Sequence, residues 1–150
     1  MAKINLKIVT PERVVFEDEV DSVTAYTDMG EVTILPGHVP LVASLRSGEA
    51  RTKKDGVEGL LVHSTGFVEV RDGNHVVILA DTAERVEELE IEKIEAARDR
   101  ARAMLEEKRH ADDVSFADAA AAMERELARY RVAMKGKYRK LPQRPGETQP

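Results

Sequence analysis

Polar and apolar residues alternate along the first 80 positions at the period of a β-strand. In Lys3-Ile4-Asn5-Leu6-Lys7-Ile8-Val9, the residues Ile4, Leu6 and Ile8 fall on one face. Thr10-Pro11 closes that run, because proline has no N–H for a ladder. Further runs follow at Val14-Val15-Phe16, Val20 to Thr27, Glu31 to Leu35, Leu41 to Leu45, Glu49 to Lys53, Gly59 to Ser64, Gly66 to Val70 and His75 to Ala80. Turn signals separate them: Asp28-Met29-Gly30, Gly48, Lys54-Asp55-Gly56 and Asp72-Gly73-Asn74. Short strands at turn spacings of about 8–12 residues predict a β-sandwich or barrel.

The period changes after Ala80. Asp81-Thr82-Ala83-Glu84 reads as a helix cap, with Glu84 reaching back toward Asp81. From Glu87 to Arg109 the chain is rich in helix formers, with Ile94, Ala97, Ala101 and Met104 on one stripe. His110-Ala111-Asp112-Asp113 breaks the helix, and Asp113 or Ser115 is placed to cap a second. Phe116, Ala120, Met123, Leu127, Tyr130 and Met134 then recur at heptad spacing, as expected for one helix lying along another. The short link predicts an antiparallel hairpin that Gly136 ends or weakens. The division expected is a sandwich over 1–85, a helical hairpin over 86–140, and a disordered Pro-rich tail over 141–150.

Charge sharpens this division. Residues 1–85 carry 9 basic and 14 acidic groups, residues 86–113 carry 6 and 10, and residues 114–140 carry 7 and 3. The first helical segment is thus acidic and the second basic. Both stripes are dominated by alanine, which buries little area, and exposed ion pairs are weak and salt-screened. Two readings stand open: a mobile helical arm, or a hairpin fixed on the sandwich.

Little in the sequence points to catalysis. The chain has no Cys, which removes disulfides, thiolate metal sites and thiol nucleophiles. Gly136-Lys137 lacks the rest of a P-loop, and His38, His63, His75 and His110 are scattered without metal-ligand spacing. Four per cent aromatics and a net charge of −5 argue against nucleic-acid binding. No run reaches the roughly 18 apolar residues of a membrane span, and the N-terminus lacks a signal-peptide stretch. A non-enzymatic, soluble, intracellular interaction protein is expected, with no direct membrane insertion. One stiff surface element stands out: Pro36 and Pro40 bracket a loop that docks at low entropic cost or simply makes a tight corner between strands.

At Gly30-Glu31-Val32-Thr33-Ile34-Leu35-Pro36-Gly37-His38-Val39-Pro40-Leu41-Val42, Gly66-Phe67-Val68-Glu69-Val70 and Ile78-Leu79-Ala80-Asp81-Thr82-Ala83-Glu84, the chain resembles the epsilon-subunit family of F-type ATP synthases. The match runs in order from about residue 3 to 138. No transit peptide precedes Met1, so the bacterial form is expected. The resemblance implies a β-sandwich of about ten strands followed by an antiparallel helical hairpin. It implies a non-catalytic place in the central stalk of the proton-translocating enzyme, peripheral on the cytoplasmic face of the cell membrane. The partners implied are the gamma subunit, the c-subunit ring and, through an extended arm, the catalytic beta subunits and alpha. The edge carrying Glu31 and the loop of Pro36, Gly37 and His38 then faces the rotor, with Glu31 near the c-ring loops and His38 near gamma.

In that family the hairpin lies folded on the sandwich or extends into the catalytic head, where it blocks hydrolysis. Arg125, Arg129, Arg131, Lys135 and Lys137 would supply the arm's basic face, against the alternative of a merely solvated face. Some members bind ATP there through Ile/Leu-Asp-x-x-Arg-Ala supported by arginines of the second helix. Here the segment is Leu89-Glu90-Ile91-Glu92-Lys93-Ile94, with Glu90 and Lys93 at the motif positions and Arg125 and Arg129 behind them. Lysine lacks arginine's two-pronged fork for phosphate, so weak ATP binding or none is expected, and no cofactor. The rival reading is a stand-alone β-sandwich binding module with a coiled-coil arm. A small enzyme of unknown chemistry is a third option, though no constellation motivates it.

Overall fold

The computed structural model describes the backbone of residues 2–110 and 112–140 and the side chains of 2–109 and 112–137. The tail expected over 141–150 lies outside the described residues. Ten strands come first: β1 (Ile4–Val9), β2 (Val14–Val20), β3 (Ser22–Thr27), β4 (Gly30–Ile34), β5 (Leu41–Leu45), β6 (Gly48–Lys54), β7 (Val57–His63), β8 (Gly66–Arg71), β9 (His75–Ala80) and β10 (Ala83–Arg85). A 3-10 turn at Val86–Glu88 leads to α1 (Ile91–Glu107), a second such turn at Lys108–His110, and α2 (Asp113–Lys140). This is the expected β-sandwich followed by two helices.

The strands are ordered β10-β7-β6-β3-β5-β8-β9-β1-β2, with β4 paired to β3 off that path. The pairings are antiparallel except β1 with β9. The two ends of the path nearly meet. Arg85 on β10 donates from Nε to the Val15 carbonyl on β2 at 2.9 Å, and its guanidinium stacks over Phe16 at 5.5 Å. The alternating apolar residues point into the space so enclosed. Ile4, Leu6, Ile8, Val20, Val23, Ile34, Val68, Val76 and Ile78 are buried there in one core.

Three sequence expectations are corrected. The run from Val20 to Thr27 is not one strand. It turns at Asp21, whose N–H donates to the Lys53 carbonyl and whose carboxylate accepts the Asp55 N–H, each at 2.7 Å, as the chain leaves β1 for β6. Asp81-Thr82-Ala83-Glu84 does not cap a helix. Thr82 and Ser64 exchange backbone and hydroxyl hydrogen bonds at 2.8–3.2 Å, which feeds Ala83–Arg85 into the sheet beside β7. The second helix is capped by Asp112, which accepts from the Ser115 N–H at 2.8 Å and from its hydroxyl at 2.9 Å.

Helix α2 buries a wider face than the predicted stripe. It lies along α1, as the heptad spacing implied, and also on the sandwich, chiefly β7, with β6 and the Val86–Glu88 turn beside it. Its most buried residues are Ala119, Glu126, Ala128, Val132, Ala133 and Gly136; of the stripe, Ala120, Met123, Leu127, Tyr130 and Met134 are half-buried and Phe116 is exposed. On α1, Ile94 and Ala101 are buried and Met104 is exposed. Arg98 lies over the Tyr130 ring at 4.6 Å and ties the two helices together. Gly136 does not end α2. It is buried about one turn before the helix end, where a Cβ would lie 2.5 Å from Val86 Cγ2, so the bare backbone permits close approach to the 3-10 turn.

Candidate functional site

Two surfaces carry the candidate residues, and β4 links those of the first. Glu31 opens β4, and the Pro36-Gly37-His38 loop follows its end. At about 3.4 Å per residue the strand separates Glu31 from Leu35 by about 14 Å, so the two candidates mark opposite ends of one edge rather than a single point. The loop is tightly built. His38 N–H donates to the Leu35 carbonyl at 3.2 Å, and the imidazole Nδ1 donates to Val39 O at 2.7 Å. Gly37 takes φ +82°, which glycine adopts without strain, and its N–H donates to Gly73 O at 2.9 Å. The loop is thereby pinned to the β8–β9 turn, with Leu35 and Val39 exposed on it.

Glu31 is exposed but paired. Arg51 on β6 grips both carboxylate oxygens, at 3.0 and 3.1 Å. That hydrogen-bonded guanidinium holds the Glu31 carboxyl below the usual carboxylate range. Cross-strand pairing supplies the partner: Thr24 of β3 lies opposite Arg51 of β6, and Tyr26, two residues on, lies opposite Glu31 of β4.

Sequence reasoning missed an exposed apolar row on the sandwich. Across four adjacent strands, Phe67 of β8 faces Leu79 of β9, Leu79 faces Val9 of β1, and Val9 faces Val14 of β2. Phe67, Leu79 and Val14 are each about half exposed, at 54%, 48% and 47%. On β5 the row meets Ser44, which lies opposite Phe67, while Val42, 68% exposed, lies two residues nearer the loop and opposite Glu69. The signal was present: Phe67 takes the outward phase of a strand whose inward residues are Val68 and Val70. An apolar row on a solvent face makes this a candidate docking surface.

The second surface is where α2 lies on the sandwich. Leu60 and Val62 of β7, on the face away from the main core, pack with Ala128 and Val132 into a separate cluster flanked by Val86 and Leu89. Ion pairs clamp both sides. Arg129 donates to the two oxygens of Glu84 on β10 at 2.8 and 3.2 Å, and also to Glu126 at 2.8 Å. On the other flank Lys135 donates to Glu49 of β6 at 2.5 Å. Burial alone would lower the Arg129 pKa, but its two carboxylate partners outweigh that and raise it.

The candidate basic residues are therefore spread around α2. Arg129 and Lys135 face the sandwich, Arg125 sits 3.7 Å from Glu126, and Arg131 and Lys137 are exposed. The candidate nucleotide residues fall into two groups. Glu90 and Lys93 pair with each other at 2.9 Å on the exposed start of α1, while Arg125 and Arg129 engage Glu126 and Glu84. Among the described residues no hydrogen bond or ion pair joins the two groups.

Comparison with known proteins places this geometry. The profile of the "ATP synthase, Delta/Epsilon chain, beta-sandwich domain" family matches residues 3–86. An ATP synthase epsilon chain of Dehalococcoides mccartyi is 45% identical over 143 residues, covering 95% of this chain and 99% of that protein. One from Geotalea uraniireducens is 41% identical over 133 residues, covering 89% and 95%. Among solved structures, a chain of the Euglena gracilis mitochondrial ATP synthase (OSCP/F1/c-ring, rotational state 1) superposes with a TM-score of 0.71 at 25% identity, covering 92% of this chain and 82% of that one. A chain of the Tetrahymena thermophila mitochondrial ATP synthase central stalk and c-ring shares the fold, with a TM-score of 0.55 at 19% identity, covering 89% and 95%.

Proposed function

Because this chain belongs to the ATP synthase epsilon-chain family, a non-catalytic component of the central stalk, we propose that it couples c-ring rotation to the gamma subunit and restrains ATP hydrolysis through its helices. Residues 1–85 act as the rotor-binding body and residues 86–140 as the regulatory arm. The body docks through the apolar row of Phe67, Leu79, Val9 and Val14 onto gamma, with the Pro36-Gly37-His38 loop at its border. The Glu31 end of β4 meets cationic loops of the c-ring. The complex sits on the cytoplasmic face of the membrane. The chain itself contains no described helix long and apolar enough to cross a membrane.

The observation that carries this reading is the separation of the two cores. The main core is made of sandwich residues alone, whereas α2 is held by Leu60, Val62, Ala128 and Val132 and by two flanking ion pairs. Ala128 buries a single methyl, on the order of 0.8 kcal/mol, and Val132 about 1.5 kcal/mol. The arm can therefore leave without opening the body. Freed, α2 presents Arg125, Arg129, Arg131, Lys135 and Lys137 to acidic surfaces of beta and alpha. Arg129, already committed to Glu84 and Glu126, has little left to offer a nucleotide, which supports weak ATP binding or none. Isothermal titration tests that part, and submillimolar affinity would show it wrong.

Affinity capture of the tagged full chain from its own cells tests the stalk reading. Recovery of gamma together with the c-ring is expected. Recovery of the chain alone, as a monomer, would instead favour a stand-alone binding module.

A further inference from the structure

If the Glu31 edge meets another subunit and α2 is an arm, four charged side chains run in an unbroken line from one to the other. Arg51 binds both oxygens of Glu31 and reaches Glu49 Oε1 at 3.2 Å. The other oxygen of Glu49, Oε2, accepts from Lys135 Nζ at 2.5 Å. Two cations and two anions alternate from β4 through β6 to α2. Glu49 is the least exposed of them, at 13% for its side chain against 55% for Lys135. The line thus turns on one nearly buried carboxylate that serves Arg51 and Lys135 at once.

We propose that this line is a relay: a cationic partner that engages Glu31 weakens the hold of the sandwich on α2. The steps follow from guanidinium and ammonium chemistry. Arg51, deprived of the two Glu31 oxygens, turns its fork onto Glu49, because a planar guanidinium matches both oxygens of a carboxylate and an ammonium does not. Lys135 loses its partner and is left beside a like charge. Through-space attraction acts in the same sense: after the Arg51 hydrogen bond and charge, Lys135 itself helps to hold the Glu31 carboxyl ionised. Neutralising Glu31 therefore withdraws attraction from α2 by both routes. By linkage, release of α2 strengthens the grip of Glu31 on the incoming cation by the same factor. The Glu84–Arg129 clamp lies outside the line, so the relay loosens one flank and leaves the other.

The test needs only the full chain in solution, with Glu31→Gln standing for an engaged Glu31. Hydrogen exchange is followed at the α2 amides around Val132 at low salt. In the Glu31→Gln variant their opening is expected to rise about two- to five-fold, the scale of one exposed ion pair. The increase should vanish at about 1 M salt, where the screening length is about 3 Å. It should shrink to the smaller through-space part when Glu31→Gln is added to Arg51→Met, and vanish when it is added to Lys135→Met. Asp18→Asn, which removes an equal charge paired to Lys54, should leave α2 unchanged. Unchanged exchange in Glu31→Gln, an undiminished effect in Arg51→Met, or an equal effect from Asp18→Asn would overturn the relay. Since no partner is present, a failure here overturns the relay and leaves the stalk reading standing, whereas a failed capture experiment removes the relay's partner without altering the exchange result.

Discussion

Replacing Gly136 by alanine isolates the docking of α2 from the folding of everything else. A Cβ at this position would lie 2.5 Å from Val86 Cγ2, against about 3.5–4.0 Å for an ordinary carbon contact, so about 1 Å or more must be found. Val86 cannot easily supply it. Its β-branched side chain is stiff at χ1, and its Cβ already lies 3.9 Å from the same point. Overpacking of this kind costs about 1–3 kcal/mol. Alanine also favours the helix over glycine by about 1 kcal/mol. That gain is common to the docked and undocked helix and does not offset the lost docking. The docked-to-undocked ratio should fall about five- to a hundred-fold. Circular dichroism should show helix content unchanged or increased, while hydrogen exchange reports faster opening of the α2 contact with β7. Adding Val86→Ala should restore protection. Wild-type protection in the Gly136→Ala chain, or no rescue by Val86→Ala, would refute the reasoning.

Three further outcomes follow from other parts of the structure. Phe67 leaves about half of a roughly 200 Å² side chain exposed, so its burial against a partner is worth about 2–3 kcal/mol; Phe67→Ser should weaken gamma binding at least ten-fold by titration while leaving the melting temperature of the free chain within a degree or two. Arg129→Ala strands the nearly buried Glu126 as well as Glu84, so it should loosen α2 more than Lys135→Ala does, by about 1–3 kcal/mol in the exchange measurement. Buried His63 donates from Nδ1 to Ser64 O at 3.1 Å and accepts the Tyr26 N–H at Nε2, and burial lowers its pKa from 6.5. Its folded pKa lies below its unfolded one, so its contribution is complete above about pH 6.5 and is lost as pH falls further. Thermal melts at about pH 7.5 and 5.5 should show this loss, and His63→Gln should remove it; the lowered pKa values of Asp18, Asp21 and Glu31 act only at more acidic pH.

The strands were legible because each buries one face, and alternation at period two is a local property. Leu60-Leu61-Val62 even announced its special place. Leu61 enters the main core while Leu60 and Val62 face α2, so the run is apolar without alternation. What stayed hidden was non-local. Glu84 imitated a capping residue because its true partner, Arg129, is 45 residues away. The pairing of Glu31 was hidden because Arg51 reaches it only through the register of three strands. The heptad stripe of α2 showed only part of its buried face because the helix packs on the sandwich as well as along α1, and a single-stripe pattern assumes one neighbour. Gly136 looked like a breaker for want of any sign that Val86 would press against it. The apolar row of Phe67, Leu79, Val9 and Val14 exists only once four strands are set in register.

The central claim is that the helices form an arm, separable from a self-sufficient body, that restrains hydrolysis. Ending the chain after Val86 removes α1 and α2 and leaves every residue of the main core in place. The decisive measurement compares ATP hydrolysis and proton-driven ATP synthesis in membranes carrying the full chain or this truncation. Normal assembly, largely retained synthesis and raised hydrolysis are expected; unchanged hydrolysis in an assembled, synthesising complex would contradict an inhibitory arm.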